Sequence, residues 1–286
     1  MVQLFSISTA AGTFDALGAG PEDGRPVMLL HGFPEDAGQW LAQLDVLGEA
    51  GYRAVAFDQR GYSPRARPTK VDAYAPEELI ADVLAVADVL RWYRFDLVGH
   101  DWGSAVAWMT AAAHPQRLRT LNTISTPHGA ALSAALRQDP DQRRRSEYFA
   151  LFRTPGEAES QLLDNGWLRH AYDGLPQDRI DHYLERFAQP GALTAALNWY
   201  RAMRPPAVRG PVTPPTMYVW STPDVFIGET AARNAERQVT GPYRFEVLEG
   251  VSHWVSEEAP SELSALLLDH LAGWQPTWAR VAVVGA

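Results

Sequence analysis

Four short apolar runs, separated by helix-like segments, constrain the fold of this chain more than any other feature. Val27-Met28-Leu29-Leu30 ends abruptly at His31-Gly32, and residues 52–57, 95–98 and 118–124 have the same largely apolar character. A strand with one face in water alternates apolar and polar residues, whereas an unbroken run has both faces covered. Between the second and third runs Pro76 opens a segment with Glu77 and Glu78 in its first turn. Leu79, Ile80, Val83, Leu84, Ala87 and Leu90 then recur at helical spacing. Proline at a first helical position forfeits only a donor that the helix leaves unpaired, and early carboxylates suit the positive end of its dipole. Another helix is expected after residue 103, carrying the apolar stretch 105–113. Such alternation predicts an α/β fold, a mostly parallel sheet flanked by helices.

The pattern changes after Ser125-Thr126-Pro127-His128. From about 130 to 210 no buried strand is legible. Helix-like segments are punctuated there by Thr154-Pro155-Gly156, Gln189-Pro190-Gly191 and Arg204-Pro205-Pro206. Strand character returns at 216–220 and 243–248. A closing helix follows Pro260, with Leu263, Leu266, Leu267 and Leu271 on one face and Gly273 as its stop. The organisation expected is a core over 1–129, a helical lid over 130–212, and the rest of the core over 213–286.

Charge and composition remove several classes of function. With 34 acidic against 25 basic residues the formal charge is -9, which disfavours a nucleic-acid surface built on clustered Lys and Arg. The one compact basic run, Arg143-Arg144-Arg145, reads as a solvated helix or loop face. The absence of cysteine excludes disulfides, zinc–thiolate sites and thiol nucleophiles, and fits a cytoplasmic location. Residues 1–6 carry no basic leader before a long apolar stretch, so no secretory signal is expected. The run 105–113 falls short of the roughly 20 residues that span a bilayer, so no membrane association is expected.

Gly99-His100-Asp101-Trp102-Gly103 lies where a buried strand meets a buried helix. It has the Gly-x-nucleophile-x-Gly form of a nucleophile elbow, with Asp in the place of the usual Ser. Alone it reads equally well as an ordinary strand-to-helix turn with an aspartate cap. Two later residues complete a chain order of nucleophile, acid and histidine. Asp224 follows a strand in Ser221-Thr222-Pro223-Asp224, where a plain turn aspartate is the alternative. His253 follows the last strand in Gly250-Val251-Ser252-His253-Trp254. His31-Gly32-Phe33-Pro34 sits where this fold supplies one oxyanion-hole amide, which would make the Phe33 and Trp102 N–H groups a pair. A cis bond before Pro34 is expected.

With these elements the chain resembles the epoxide hydrolases of the α/β-hydrolase superfamily. The resemblance rests on His31 to Pro34, Gly99 to Gly103, Asp224, His253 and two lid segments. Asn198-Trp199-Tyr200-Arg201 is similar to the family segment carrying one epoxide-binding tyrosine, and Tyr148, upstream of Pro155-Gly156, matches the other. Without the family both would be read as core aromatics. The resemblance implies an α/β-hydrolase fold with an inserted helical cap, a small-molecule epoxide substrate, and no metal or organic cofactor. It assigns Asp101 as nucleophile, His253 as general base, Asp224 as the group orienting His253, and Tyr148 and Tyr200 as proton donors to the epoxide oxygen. Trp199, Phe152, His31 and Pro34 are expected to contact substrate. Glu35 is either a partner of the hydrolytic water or a simple surface or capping residue.

The chemistry suits these residue types. An epoxide expels no separate leaving group, so an alkoxide must form as a carboxylate attacks carbon. Phenols with a reference pKa of about 10 stay protonated at neutral pH and can donate to that oxygen. A haloalkane dehalogenase shares the Asp and His but must bind halide and has no use for two lid phenols. A non-catalytic ligand-binding relative is the remaining alternative. Nothing in the sequence separates a monomer from a homodimer.

Overall fold

The computed structural model describes residues 1–172, 174–204 and 210–274; Pro205 and Pro206 of the expected lid break lie outside them. Eight strands form one sheet: β1 (Gln3–Thr9), β2 (Gly12–Ala19), β3 (Arg25–Leu30), β4 (Tyr52–Phe57), β5 (Phe95–His100), β6 (Leu118–Ile124), β7 (Thr216–Ser221) and β8 (Tyr243–Leu248). Their spatial order is β1-β2-β4-β3-β5-β6-β7-β8, and every pairing from β4 onward is parallel. The first two strands are antiparallel, to each other and at the β2–β4 junction. Their mixed burial leaves them without the continuous apolar signature that marks β3 to β6.

Three helices precede the lid: α1 (Leu41–Glu49), α2 (Pro76–Val89) and α3 (Trp102–Ala113). Between β6 and β7 the chain forms α4 (Gly129–Gln138), α5 (Pro140–Arg145), α6 (Tyr148–Phe152), α7 (Glu157–Leu163), α8 (Trp167–Ala171), α9 (Gln177–Phe187) and α10 (Ala192–Ala202). After β7 come α11 (Glu229–Arg233), α12 (Val255–Glu258) and α13 (Pro260–Gly273), the last burying Leu263, Leu267 and Leu271. Apolar side chains cover both sheet faces. One cluster contains Leu30, Phe57, Leu97, Trp108 and the lid aromatics; the other joins Val27, Leu29, Val98 and Val219 to α1 and α13. Among the described residues no helix is long and apolar enough to cross a membrane.

The register sets where the loops meet. Leu30 pairs with Gly99 and His100 with Ile124, so β3, β5 and β6 end level and their following loops converge beneath the lid. Ion pairs from α9 tie the lid down: Arg186 lies 3.0 Å from Asp36 and 2.7 Å from Asp58, and Arg179 lies 2.5 Å from Glu257.

Close packing of α3 on β3 and β5 explains the paired glycines. A Cβ on Gly103 would sit 2.1 Å from the Leu30 carbonyl oxygen, and one on Gly99 would sit 2.3 Å from the Gly103 carbonyl oxygen. Both obstacles are backbone, which cannot rotate aside. Gly103→Ala is therefore expected to destabilise the protein by about 2 kcal/mol or more, the upper range of overpacking effects. Urea unfolding measures it; a loss below about 0.5 kcal/mol, the scatter of neutral surface changes, would contradict the packing argument.

Candidate active site

Asp101 occupies the turn between β5 and α3 with φ 49° and ψ −117°. A non-glycine residue held there stores roughly 1–3 kcal/mol of strain, and the neighbouring strands impose it. Asp101 N–H donates to the Ile124 carbonyl at 3.3 Å, while its own carbonyl accepts from Ala105 N–H at 3.0 Å. The turn thereby lifts the carboxylate toward the lid. Phe33 N–H, in the loop after β3, donates to Asp101 Oδ1 at 2.8 Å. Gly32 permits this approach, since a Cβ there would lie 2.4 Å from Asp101 Cβ. The peptide bond between Phe33 and Pro34 is cis. Trp102 is the first residue of α3, so its N–H has no carbonyl partner within the helix.

His253 Nε2 lies 3.6 Å from Asp101 Oδ2, and its Nδ1 lies 2.8 Å from Asp224 Oδ2. Burial disfavours the charged imidazole, but the charges of Asp224 and Asp101 and the hydrogen bonds to them outweigh it and raise its pKa to about 10. For Asp101, burial pushes the carboxyl up; His253 and the Phe33 amide prevail and hold it below the usual carboxylate range. The resting pair is therefore carboxylate and imidazolium. Asp224 Oδ1 accepts from Phe226 N–H at 2.8 Å and Ile227 N–H at 3.0 Å, which locks its other oxygen onto His253.

The lid closes over these three residues with aromatic rings. A small cavity is bounded by Phe33, Pro34, Asp101, Tyr148, Phe152, Trp167, Tyr200, Phe226, His253 and Trp254. The Tyr148 and Tyr200 rings are 6.3 Å apart, and Tyr200 stands edge-on to Trp102 at 4.8 Å. Burial, reinforced by the Asp101 charge, pushes both phenols well above their ordinary value, so both keep their protons.

Of the residues expected at the site, Asp101, Phe33, Pro34, Tyr148, Phe152, Tyr200 and His253 line this cavity, and Asp224 stands behind His253. Trp102, Trp199 and His31 do not, Trp102 lining a neighbouring cavity that also reaches Asp101. The Trp199 indole turns away to donate to the Arg60 carbonyl at 2.9 Å, and its ring packs on Tyr62 and Trp102. His31 Nε2 accepts from Gln59 N–H at 3.0 Å, joining the ends of β3 and β4. Glu35 is buried rather than at the surface; its Oε2 lies 2.8 Å from His100 Nδ1, but neither carboxylate oxygen has a hydrogen bond of good geometry among the described residues. The other His100 nitrogen, Nε2, is 2.9 Å from the His253 carbonyl oxygen.

Sequence reasoning passed over the lid's hold on the acid loop. Gln142 of α5 donates to the Phe226 carbonyl at 2.9 Å and accepts from Gly228 N–H at 2.8 Å. Arg145 donates to the Asp224 carbonyl and pairs with Asp141 at 2.6 Å. The basic run is thus solvated at Arg143 and Arg144 but structural at Arg145. Phe226, whose ring lies 4.8 Å from His253, was also missed; only its place two residues after Asp224 hints at it.

Comparison with known proteins agrees with this architecture. The alpha/beta hydrolase fold family matches residues 25–260. The chain is 34% identical to the AB hydrolase superfamily protein YfhM of Bacillus subtilis, over 93% of its own length and 96% of the relative's. It is 32% identical to Epoxide hydrolase A of Mycobacterium tuberculosis, covering 88% of this chain and 92% of that protein. The crystal structure of Epoxide Hydrolase A from Mycobacterium thermoresistibile superposes with a TM-score of 0.86 at 27% identity, covering 96% of this chain and 99% of that one. By fold, by sequence and by structural likeness, the chain belongs to the epoxide hydrolase family of the α/β-hydrolase superfamily.

Proposed function

We propose that this protein adds water to an epoxide, giving a vicinal diol through an ester on Asp101. One observation carries the reading: a carboxylate with Oδ1 held by an amide and Oδ2 facing His253 shares a small cavity with two protonated phenols. Asp101 Oδ2 attacks an epoxide carbon, the C–O bond breaks, and Tyr148 or Tyr200 delivers its proton to the departing oxygen. The resulting phenolate recovers a proton from the His253 imidazolium.

Ester formation is what converts His253 into a base. Before it, two carboxylates hold the imidazolium; afterwards Asp101 is neutral, while the burial that disfavours charge persists. The neutral imidazole, oriented by Asp224, takes a proton from water, and the hydroxide attacks the Asp101 carbonyl carbon. Negative charge develops on Oδ1, against the Phe33 N–H and the free N–H of Trp102. Loss of one such donor typically costs about 2.7–4 kcal/mol of transition-state stabilisation. Collapse expels the diol oxygen, which takes the proton from His253, and the Asp101 carboxyl then returns its own proton to the imidazole. Glu35 Oε1, buried beside His100, can accept a hydrogen bond from the attacking water. The residues assigned to the lid are 130–212, with 1–129 and 213–286 as the core, of which 173, 205–209 and 275–286 lie outside the described residues.

A single turnover of styrene oxide in heavy-oxygen water tests the scheme. Hydrolysis at the acyl carbon puts the label on the Asp101 carboxyl group, found by mass spectrometry of its peptide, and leaves the first-formed diol unlabelled. Label appearing at once in the diol means direct attack of water and rejects the covalent route.

A further inference from the structure

A second cavity, of about 210 Å³, opens from Asp101 and is lined without His253. Its walls are apolar, with Ala105 and Met109 from α3, Leu132 and Leu136 from α4, Phe149 from α6, and Met203 after α10. Two of the described residues lining it bear a formal charge. One is Asp101, recessed with its side chain 13% exposed; the other is Arg153, exposed at the end of α6.

Arg153 is oriented without being neutralised. Its Nε donates to the Tyr200 carbonyl at 3.1 Å, and its guanidinium carbon lies 5.8 Å from the centre of the Phe149 ring. Neither partner is a carboxylate, so among the described residues Nη1 and Nη2 carry no ion pair. The nearby Arg201 differs, since its guanidinium is taken up by Glu159 at 3.0 Å. An unpaired planar fork at the mouth of an apolar channel is suited to two parallel bonds to a carboxylate.

We propose that Arg153 is a specificity residue, binding a carboxylate at the far end of an apolar arm of the epoxide substrate. This rests on the reading of Asp101 as the group that meets the epoxide. Charge fixes the direction of entry. An anionic head carried down the apolar walls to Asp101 would be buried without a free cation, since His253 is already paired there, so the epoxide end enters first while the carboxylate stays with Arg153 at the mouth. Each methylene of the arm laid along Met109, Leu132, Leu136 and Met203 leaves water and adds to affinity.

The test pairs terminal epoxides bearing a straight chain and an ω-carboxylate with their methyl esters, the spacer lengthened one methylene at a time. KM of the acid is expected to fall about tenfold below that of its ester, about 1.4 kcal/mol, at one preferred spacer length. The ratio should shrink as salt is raised, because the pair is at the surface. In Arg153→Gln the acid-to-ester KM ratio should approach one, and Arg153→Lys should restore part of it. A ratio near one at every spacer length, or one that survives in Arg153→Gln, overturns the proposal. A second readout avoids turnover altogether: saturable binding of straight-chain fatty carboxylates without an epoxide, followed by isothermal titration calorimetry. Binding that weakens in Arg153→Gln supports the Arg153 site even if no epoxide is hydrolysed, an outcome that would reject the catalytic reading alone. Equal binding to both proteins, or none, rejects the Arg153 site.

Discussion

His253→Gln is expected to stop the protein at the ester, with one substrate equivalent attached to Asp101. Glutamine keeps a polar group beside Asp224 but cannot take a proton from water, so the second half of the reaction loses its base. General-base contributions of 10²–10⁴ set the expected fall in steady-state turnover, about thousandfold or roughly 4 kcal/mol. Ring opening is affected differently. It needs Asp101 ionised, and His253 is one of the groups that hold its carboxyl low. Removing the imidazolium lets that pKa rise, so trapping should be faster at mildly alkaline than at acidic pH. Intact-protein mass spectrometry after epoxide addition reads the adduct directly. A stoichiometric mass gain on the Asp101 peptide is the expected result; inactive protein with no adduct at any pH would count against a covalent intermediate.

Replacing both lid phenols, Tyr148→Phe with Tyr200→Phe, should nearly abolish the first half-reaction. An unprotonated alkoxide is a poor product to form inside an apolar cavity, and the remaining walls facing Asp101 are mostly aromatic carbon. The expected loss in single-turnover alkylation is about thousandfold, with milder losses in either single variant because the other phenol still donates. Burial keeps both phenols protonated well past their ordinary range, so ring opening in the unaltered protein should not decline as pH rises toward 10 through loss of these donors. Retention of most alkylation by the double variant would show that another group protonates the epoxide oxygen.

Several parts of this molecule were legible because one local rule governed them. The runs at β3 to β6 had to be strands buried on both faces, and the elbow glycines mark where backbone passes too close for a Cβ. Pro76 and Pro260 mark their helices by position alone. β1 and β2 were not anticipated, since an edge pair with mixed burial resembles any polar-and-apolar segment. Arg145 looked solvated because a run of like charges says nothing about which member reaches back to a distant carbonyl.

The sequence by itself determined the parallel part of the sheet, the elbow and the chain order of Asp101, Asp224 and His253, because those depend on backbone sterics and on burial along each strand. Only the tertiary structure decided which lid side chains face Asp101. Nine of the eleven residues of α10 are buried, so helical periodicity cannot say whether Trp199 or Tyr200 looks into the cavity. Docking of that helix on the core settled it, turning the indole to the Arg60 carbonyl and the phenol toward the carboxylate. A helix apolar on nearly every side has no preferred face until its neighbours are in place.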